Sequence, residues 1–328
     1  MRIRRRAPAP IRQRGVALLI ALVIMAIAAT LSTGMIWNRE LDIRRTANSI
    51  QGDQALEYAL GAEAWAEQIL RRDYLSNQNN TNLTQDWAMQ LPPLPVAGGS
   101  ITGQMEDLQG LFNINNLASS NVQESTAALA QFQRLLIALN LDPDIAYGVS
   151  DWVNPGNQPN PNSDGAKDEF YSQLAPPYLT AEQPMASISE LLLVKGITPQ
   201  IYAALLPYVC VLPLIHPGSQ PGAPMRSTAI NINTAPAPVI ASLNAGITTS
   251  AAEAAVQTRL QQPYQSLNDL IRLLNITPAV GVPTSLTSSY FQLTAQAKIG
   301  GTQITLYSLL YRISGGATIA IRRTFGTV

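Results

Sequence analysis

The sequence has a single cysteine, Cys210, and a single histidine, His216. One cysteine excludes an intramolecular disulfide and a cysteine-based zinc cluster. One histidine excludes a multi-histidine metal centre, and its setting between Ile215 and Pro217, near Pro213, Pro221 and Pro224, reads as a linker position rather than a catalytic one. No phosphate-binding glycine loop of the Walker type is present. Charge is scarce as well, at 13% of residues, and balanced at 21 basic against 21 acidic side chains, which removes any whole-chain argument for a nucleic-acid partner or a basic membrane-binding surface. Asp142 and Asp144 form a carboxylate pair, but they precede or open a helix, where capping is the expected role. These absences point away from an enzyme. Apolar residues are plentiful at 46% of 328, enough for a packed core in two modest domains or one elaborated domain.

The scarce charges are unevenly placed. Arg2, Arg4, Arg5, Arg6, Arg12 and Arg14 crowd the first 15 residues, and then no ionisable side chain occurs before Arg39. Val16 to Trp37 is long enough to cross a hydrocarbon core of roughly 30 Å as a helix, with the arginine-rich end on the cytoplasmic side. Three fates fit this segment. A secretory signal would be cut near Ala26-Ile27-Ala28, a signal anchor would stay uncut, and a basic leader ending at Gly15 would be cut in front of the apolar run. Arg14-Gly15-Val16-Ala17-Leu18-Leu19 resembles the recognition site of prepilin peptidase, and that resemblance implies cleavage after Gly15 and N-methylation of Val16.

Further along, Leu41 to Leu70 is alanine-rich, and Tyr58, Ala62, Trp65 and Ile69 recur at helical spacing, predicting that they form the packed face of a continuing helix. Ser76 to Thr84 reads as a solvated loop. Ser100 to Asp107 predicts a strand. Phe291, Leu293, Ala295 and Ala297 alternate with polar residues; Gly300-Gly301 predicts a hairpin, Ile304 to Ile313 the returning strand, and Ile319 and Ile321 a third strand after Gly315-Gly316. The fold class is α+β: a long N-terminal helix against an antiparallel sheet, with a large, mostly helical insert. The expected divisions are a leader over 1–15, a transmembrane segment over 16–37, the spine helix and first strands over 38–110, the insert over 111–286 and the closing strands over 287–328.

Within the insert, Thr126 to Leu139 predicts a helix with Leu129, Phe132, Leu136 and Leu139 on one side. Two helix pairs follow. Ser187 to Val194 with Pro199 to Val209 turns at Lys195-Gly196-Ile197-Thr198, and Ala235 to Leu243 with Ser250 to Arg259 turns at Ala245-Gly246-Ile247-Thr248. They form a weak internal repeat that resembles the helix-hairpin-helix motif, whose turn amides hold a DNA phosphate. Thr198 and Thr248 stand where that motif has its second glycine. From Glu106 to Pro283 there are 13 acids and six bases, the wrong excess for phosphate. No nucleic-acid partner is expected.

Asp151 to Glu169 gathers Asp151, Asn154, Asn157, Asn160, Asn162, Asp164, Asp168 and Glu169 among prolines and glycines. Calcium takes six to eight hard oxygens and tolerates irregular geometry. A hydrated turn in which Asn and Asp bond their own backbone is the competing reading, and the EF-hand spacing is absent.

Five stretches, besides the leader, together resemble the K subunit family of the type II secretion system: Leu111-Phe112-Asn113-Ile114-Asn115-Asn116-Leu117, Asp151-Trp152-Val153, Gly165-Ala166 with Asp168 and Tyr171, Ser187-Ile188-Ser189-Glu190-Leu191, and Ile230-Asn231-Ile232-Asn233-Thr234-Ala235. The resemblance covers nearly the whole chain. It implies a minor pseudopilin anchored once in the bacterial inner membrane, with a periplasmic body that caps and helps initiate the pseudopilus for export of folded proteins. Implied partners are subunits I and J, with H as a further candidate, the major pseudopilin, prepilin peptidase and the inner-membrane assembly platform. Calcium is implied at Asp151, Asn154, Asp164 and Asp168. The chain departs from the pattern at Val16, where pilins have phenylalanine; at Ile20, where most have glutamate and the K subunit does not; and at Asn154, Gly156 and Lys167, where the family is richer in acids. The alternative is a minor pilin of a type IV or competence system.

Overall fold

The structure, a computed structural model, describes residues 14–90, 92–156, 166–277 and 281–326. Helix α1 (Arg14–Ser76) runs for 63 residues without a proline, and at 1.5 Å per residue it is roughly 95 Å long. Its apolar part, from Val16 to Trp37, is exposed along its length, the mark of a helix made for a solvent other than water.

From Ala55 onward α1 lies on a sheet, and the buried stripe is Ala55, Ala59, Glu63, Ala66, Leu70 and Asp73. The expected stripe is therefore displaced around the helix. Of Tyr58, Ala62, Trp65 and Ile69 only Ile69 is fully buried, and Trp65 is 46% exposed. Size explains the shift. Ala55 and Ala59 meet Ala295 and Ala297 of the sheet in one cluster, and small side chains on both surfaces let the backbones approach where rings would hold them apart.

After α1 the chain forms β1 (Leu94–Val96) and β2 (Gly99–Asp107), then enters the insert. The first half of the insert comprises β3 (Phe112–Asn113), α2 (Val122–Ala138), α3 (Ile145–Val153), α4 (Asp168–Tyr171), α5 (Pro199–Leu205) and β4 (Val209–Cys210). The second comprises β5 (Ile230–Asn231), α6 (Ala237–Ser242), α7 (Thr249–Gln261), α8 (Leu267–Leu274) and β6 (Thr284–Ser285). Each half opens with a short strand and closes by pairing it in parallel: β3 with β4, β5 with β6. α2 begins earlier than expected because Asn121 accepts hydrogen bonds from the Gln123 and Glu124 amides. Ser187 to Val194 is a 3-10 turn closed by a Ser187/Glu190 capping box rather than an α-helix. The helix expected to reach Val209 ends at Leu205, since Val209 and Cys210 are taken into the pairing with β3.

The chain returns as β7 (Tyr290–Ile299), β8 (Thr302–Arg312) and β9 (Thr318–Phe325), completing a five-stranded antiparallel sheet in the order β1-β2-β7-β8-β9. Phe291, Leu293, Ala295, Ala297 and Ile299 face α1 at the expected period of two. Gly316 turns β8 into β9 at φ +85°, and any Cβ there would strike the Tyr74 ring. On the other face, Tyr290 and Leu309 pack on Leu108, Leu111, Cys210 and Leu212, so the insert rests on the sheet opposite the spine.

One charge is fixed under α1. Glu63 is 4% exposed; Arg323 of β9 donates to both of its oxygens at 2.7–3.1 Å, and Ser308 of β8 donates as well. Burial pushes the Glu63 carboxyl up, but these bonds and the Arg323 charge outweigh it and hold it below its ordinary 4.5. A depressed carboxylate stabilises the fold fully above its unfolded value and loses that contribution as pH falls through its folded value. Glu63→Gln should cost about 1–3 kcal/mol at neutral pH, toward the low end because Arg323 is half exposed. Chemical unfolding at pH 7 and at pH 3 should show the difference between parent and variant shrinking at the acid value.

Candidate functional site: membrane anchor, polar junction and cation loop

At the membrane end, Arg14 and Gly15 already lie in the first turn of α1, while the rest of the arginine-rich leader falls outside the described residues. Val16 and Ile20 are exposed on the helix. Exposed apolar residues recur beyond the membrane segment at Leu41, Ile43 and Ile50 and lead to an open groove between α1 and the sheet, lined by Tyr58, Trp65, Met89, Leu94 and Ile101. The rings expected to be core thus form the wall of a surface groove.

The insert meets the sheet at a buried polar junction. Asp107, at the end of β2, accepts from the Gln109 amide, the Ser288 hydroxyl at 2.5 Å, the Thr234 hydroxyl at 2.6 Å and the Asn231 amide group at 3.0 Å. Burial raises its pKa in spite of those donors. Arg312, also buried, donates to Thr81 and to the Ser288 carbonyl and lies between the rings of Tyr74 and Phe291. The Ser76 to Thr84 segment, expected to be solvated, is part of this junction. Asn80, Thr81 and Asn82 are buried, and the Asn80 amide group reaches the Tyr264 carbonyl at 2.7 Å. Polar composition misled here because the segment bonds protein backbone instead of water.

Five buried asparagines tie distant chain together. Asn113 accepts from the Leu212 amide and donates to the Leu212 carbonyl; Asn115 does the same for Met185, and Asn116 for Thr228. In the second half Asn233 does so for Tyr264, and Asn231 reaches the Thr81 carbonyl. A carboxamide carries the donor and acceptor of a peptide group, so each serves as a backbone pairing partner where no strand can. His216 is no free linker residue: its Nδ1 lies 3.0 Å from the Tyr290 hydroxyl and its ring stacks with Tyr290 and Tyr311.

The two helix hairpins have a use for the threonines that break the DNA-binding pattern. Thr198 accepts from the Ile201 amide and Thr248 from the Ala251 amide, so each caps the helix it precedes. Asp142 similarly accepts from the Asp144 amide, whereas the Asp144 side chain makes no cap bond.

Of the four residues expected to hold calcium, Asp164 lies outside the described residues. The other three are engaged with protein groups as follows. Asp168 accepts from the amide and hydroxyl of Thr180, which hold its carboxyl below the usual range. The Asn154 amide group donates to the carbonyls of Leu117 and Ser150. The backbone carbonyls of Asp151 and Asn154, the donors best suited to a cation, each accept from the Lys167 ammonium at 2.6 Å. Among the described residues no three acidic, histidine or cysteine side chains are grouped as metal ligands.

Comparison with known proteins decides the family. A model described as type II secretion system protein K matches residues 110–214, and a second of the same description matches 230–290. The type II secretion system protein K of Pectobacterium carotovorum subsp. carotovorum is 34% identical, covering 96% of this chain and 97% of its own; that of Pseudomonas aeruginosa is 32% identical, covering 96% and 93%. The chain belongs to the type II secretion system protein K family. Its role is that of a minor pseudopilin in type II secretion, which sets aside the type IV and competence alternative. A chain in the crystal structure of the GspK-GspI-GspJ complex from enterotoxigenic Escherichia coli superposes with a TM-score of 0.68 at 25% identity, over 87% of this chain and 100% of that one. The two matched stretches of the K family fall on the two halves of the insert, each opening with its asparagine-bearing strand.

Sequence reasoning missed Asp107, Ser288, Thr81 and Arg312. The available signal was the alternation of Asn with Ile in Asn113-Ile114-Asn115 and Asn231-Ile232-Asn233, polar residues at a buried period that demand buried partners. Asp107→Ala should remove the shared acceptor of the Ser288, Thr234 and Asn231 side chains and of the Gln109 amide and cost more than about 3 kcal/mol, measured by chemical unfolding against the parent.

Proposed function

We propose that this subunit sits at the tip of the pseudopilus and starts its assembly together with minor pseudopilins I and J, as a structural component and not as an enzyme. The observation that carries this reading is the likeness, over most of the chain, to a chain of the GspK-GspI-GspJ complex. Ile20 supports the same position. A glutamate at that place in other pilins neutralises the terminal amine of an adjoining subunit inside the membrane, where an unpaired charge is costly. An isoleucine suits a subunit with no such neighbour to serve. The leader is cut after Gly15 by prepilin peptidase and Val16 is methylated; α1 then crosses the inner membrane once, with the body in the periplasm, as the arginine-rich leader favours. From there the subunit engages the assembly platform and the major pseudopilin.

The groove walled by Tyr58 and Trp65 is the contact assigned to I and J, because it continues the apolar exposure of α1 beyond the membrane. The full chain, co-expressed with I and J and purified in detergent, should carry both with it. Trp65→Arg should weaken that association at least about tenfold, as expected for an interface aromatic replaced by a charge. Failure of the parent chain to retain either partner would sink the tip assignment; an unaffected variant would move the contact elsewhere.

Processing has its own readout. Intact-mass and N-terminal sequencing of the protein from secreting cells should find N-methylated Val16 as the first residue. A start at Ala29 or beyond indicates a secretory signal, and retention of Met1 an uncut anchor.

A further inference from the structure

Asp151, Asn154 and Asp168 read as ligands for a divalent cation, yet a positive charge already lies against the backbone of the first two. Lys167 is 6% exposed, and its ammonium is 2.6 Å from the carbonyl oxygens of both Asp151 and Asn154. Those two carbonyls belong to the C-terminal end of α3, where the last peptide oxygens have no intrahelical donor and the helix dipole is negative. The stem of Lys167 is buried beside Ala166, and the next residue begins α4, whose Tyr171 ring meets Trp152 of α3 edge-on with centroids 5.3 Å apart. Asp168 then fastens the same short helix to Thr180.

We propose that the Lys167 ammonium is the resident cation at the C-terminal end of α3, doing the work of a divalent metal between the carbonyls of Asp151 and Asn154, so that this end of α3 is tied to the start of α4 without calcium. The chemistry is sufficient. An ammonium has three donors and unit positive charge, and two carbonyls at a helix end, one buried and one part-buried, need donors and favour positive charge. Because this cation is attached to the chain, it cannot be chelated, diluted or exchanged. A site held by calcium instead gains stability with the free ion concentration.

The test uses the full chain in detergent, with melting followed by tryptophan fluorescence, in millimolar calcium and in excess chelator. The parent should melt at the same temperature in both, and calorimetric titration with calcium should show no stoichiometric uptake. Lys167→Met, which keeps the buried stem and removes the donors, should melt roughly 5 °C or more lower in both conditions, since the buried Asp151 carbonyl and the part-buried Asn154 carbonyl lose their partner. Lys167→Glu, which sets oxygens where the ammonium stood, should be destabilised in chelator and regain part of the loss with calcium. A parent that binds calcium stoichiometrically, or that melts higher with it, overturns the proposal. So does a Lys167→Met variant that melts with the parent in chelator. If that variant does not fold at all, the parent's calorimetry decides.

Discussion

The carboxylate of Asp107 stands where the chain leaves one strand, and Ser288, which bonds it, stands where the chain comes back. They are 181 positions apart. Closing a flexible loop of that length costs on the order of 5 kcal/mol beyond a constant, so the point of closure must be strongly specified. It is specified twice over: by the register of β2 against β7, in which Asp107 opposes Phe291, and by side-chain donors converging on one buried carboxylate from Thr234, Asn231 and Ser288. Because β2 and β7 are neighbours, the insert enters and leaves the sheet at one place, and the sheet remains a continuous ladder beneath it.

The scarcity of cysteine shapes the rest. A body without a disulfide needs other means of holding long irregular connections, and here buried carboxamides serve. Each half of the insert uses the same device: a short strand bearing asparagines whose side chains pair with the backbone of segments far away in sequence. A buried amide left unpaired would be costly, so the clips work only in the folded arrangement and tie its parts to one another. Lys167 is the charged counterpart of the same device, a side chain supplying donors to carbonyls that secondary structure leaves open.

Much of this was legible in the sequence because it depends on period and on turn residues. The membrane segment, the alternation of β7, the glycine turns on either side of β8 and the duplicated hairpins all rest on such local rules. Three features were not legible for the same reason. The face of α1 that packs was misjudged since large rings attract the eye, whereas the close contact is made by Ala55, Ala59 and their partners Ala295 and Ala297. Asn80 to Asn82 looked like a loop in water because nothing local announces that Tyr264 and Asn233 will cover it. Lys167 looked like a lost ligand until its ammonium was placed at the end of α3.

The unbroken α1 has a mechanical meaning. A single helix of roughly 95 Å, without proline, joins what is embedded in lipid to what lies on the sheet. Its last turns are clasped by β7 and β8 and pinned by Glu63 to Arg323. Such a rod has no proline joint at which a push could be absorbed. Displacement or twist applied at the membrane end is therefore delivered to the sheet, and through the junction at Asp107 to the insert, as movement of one stiff body.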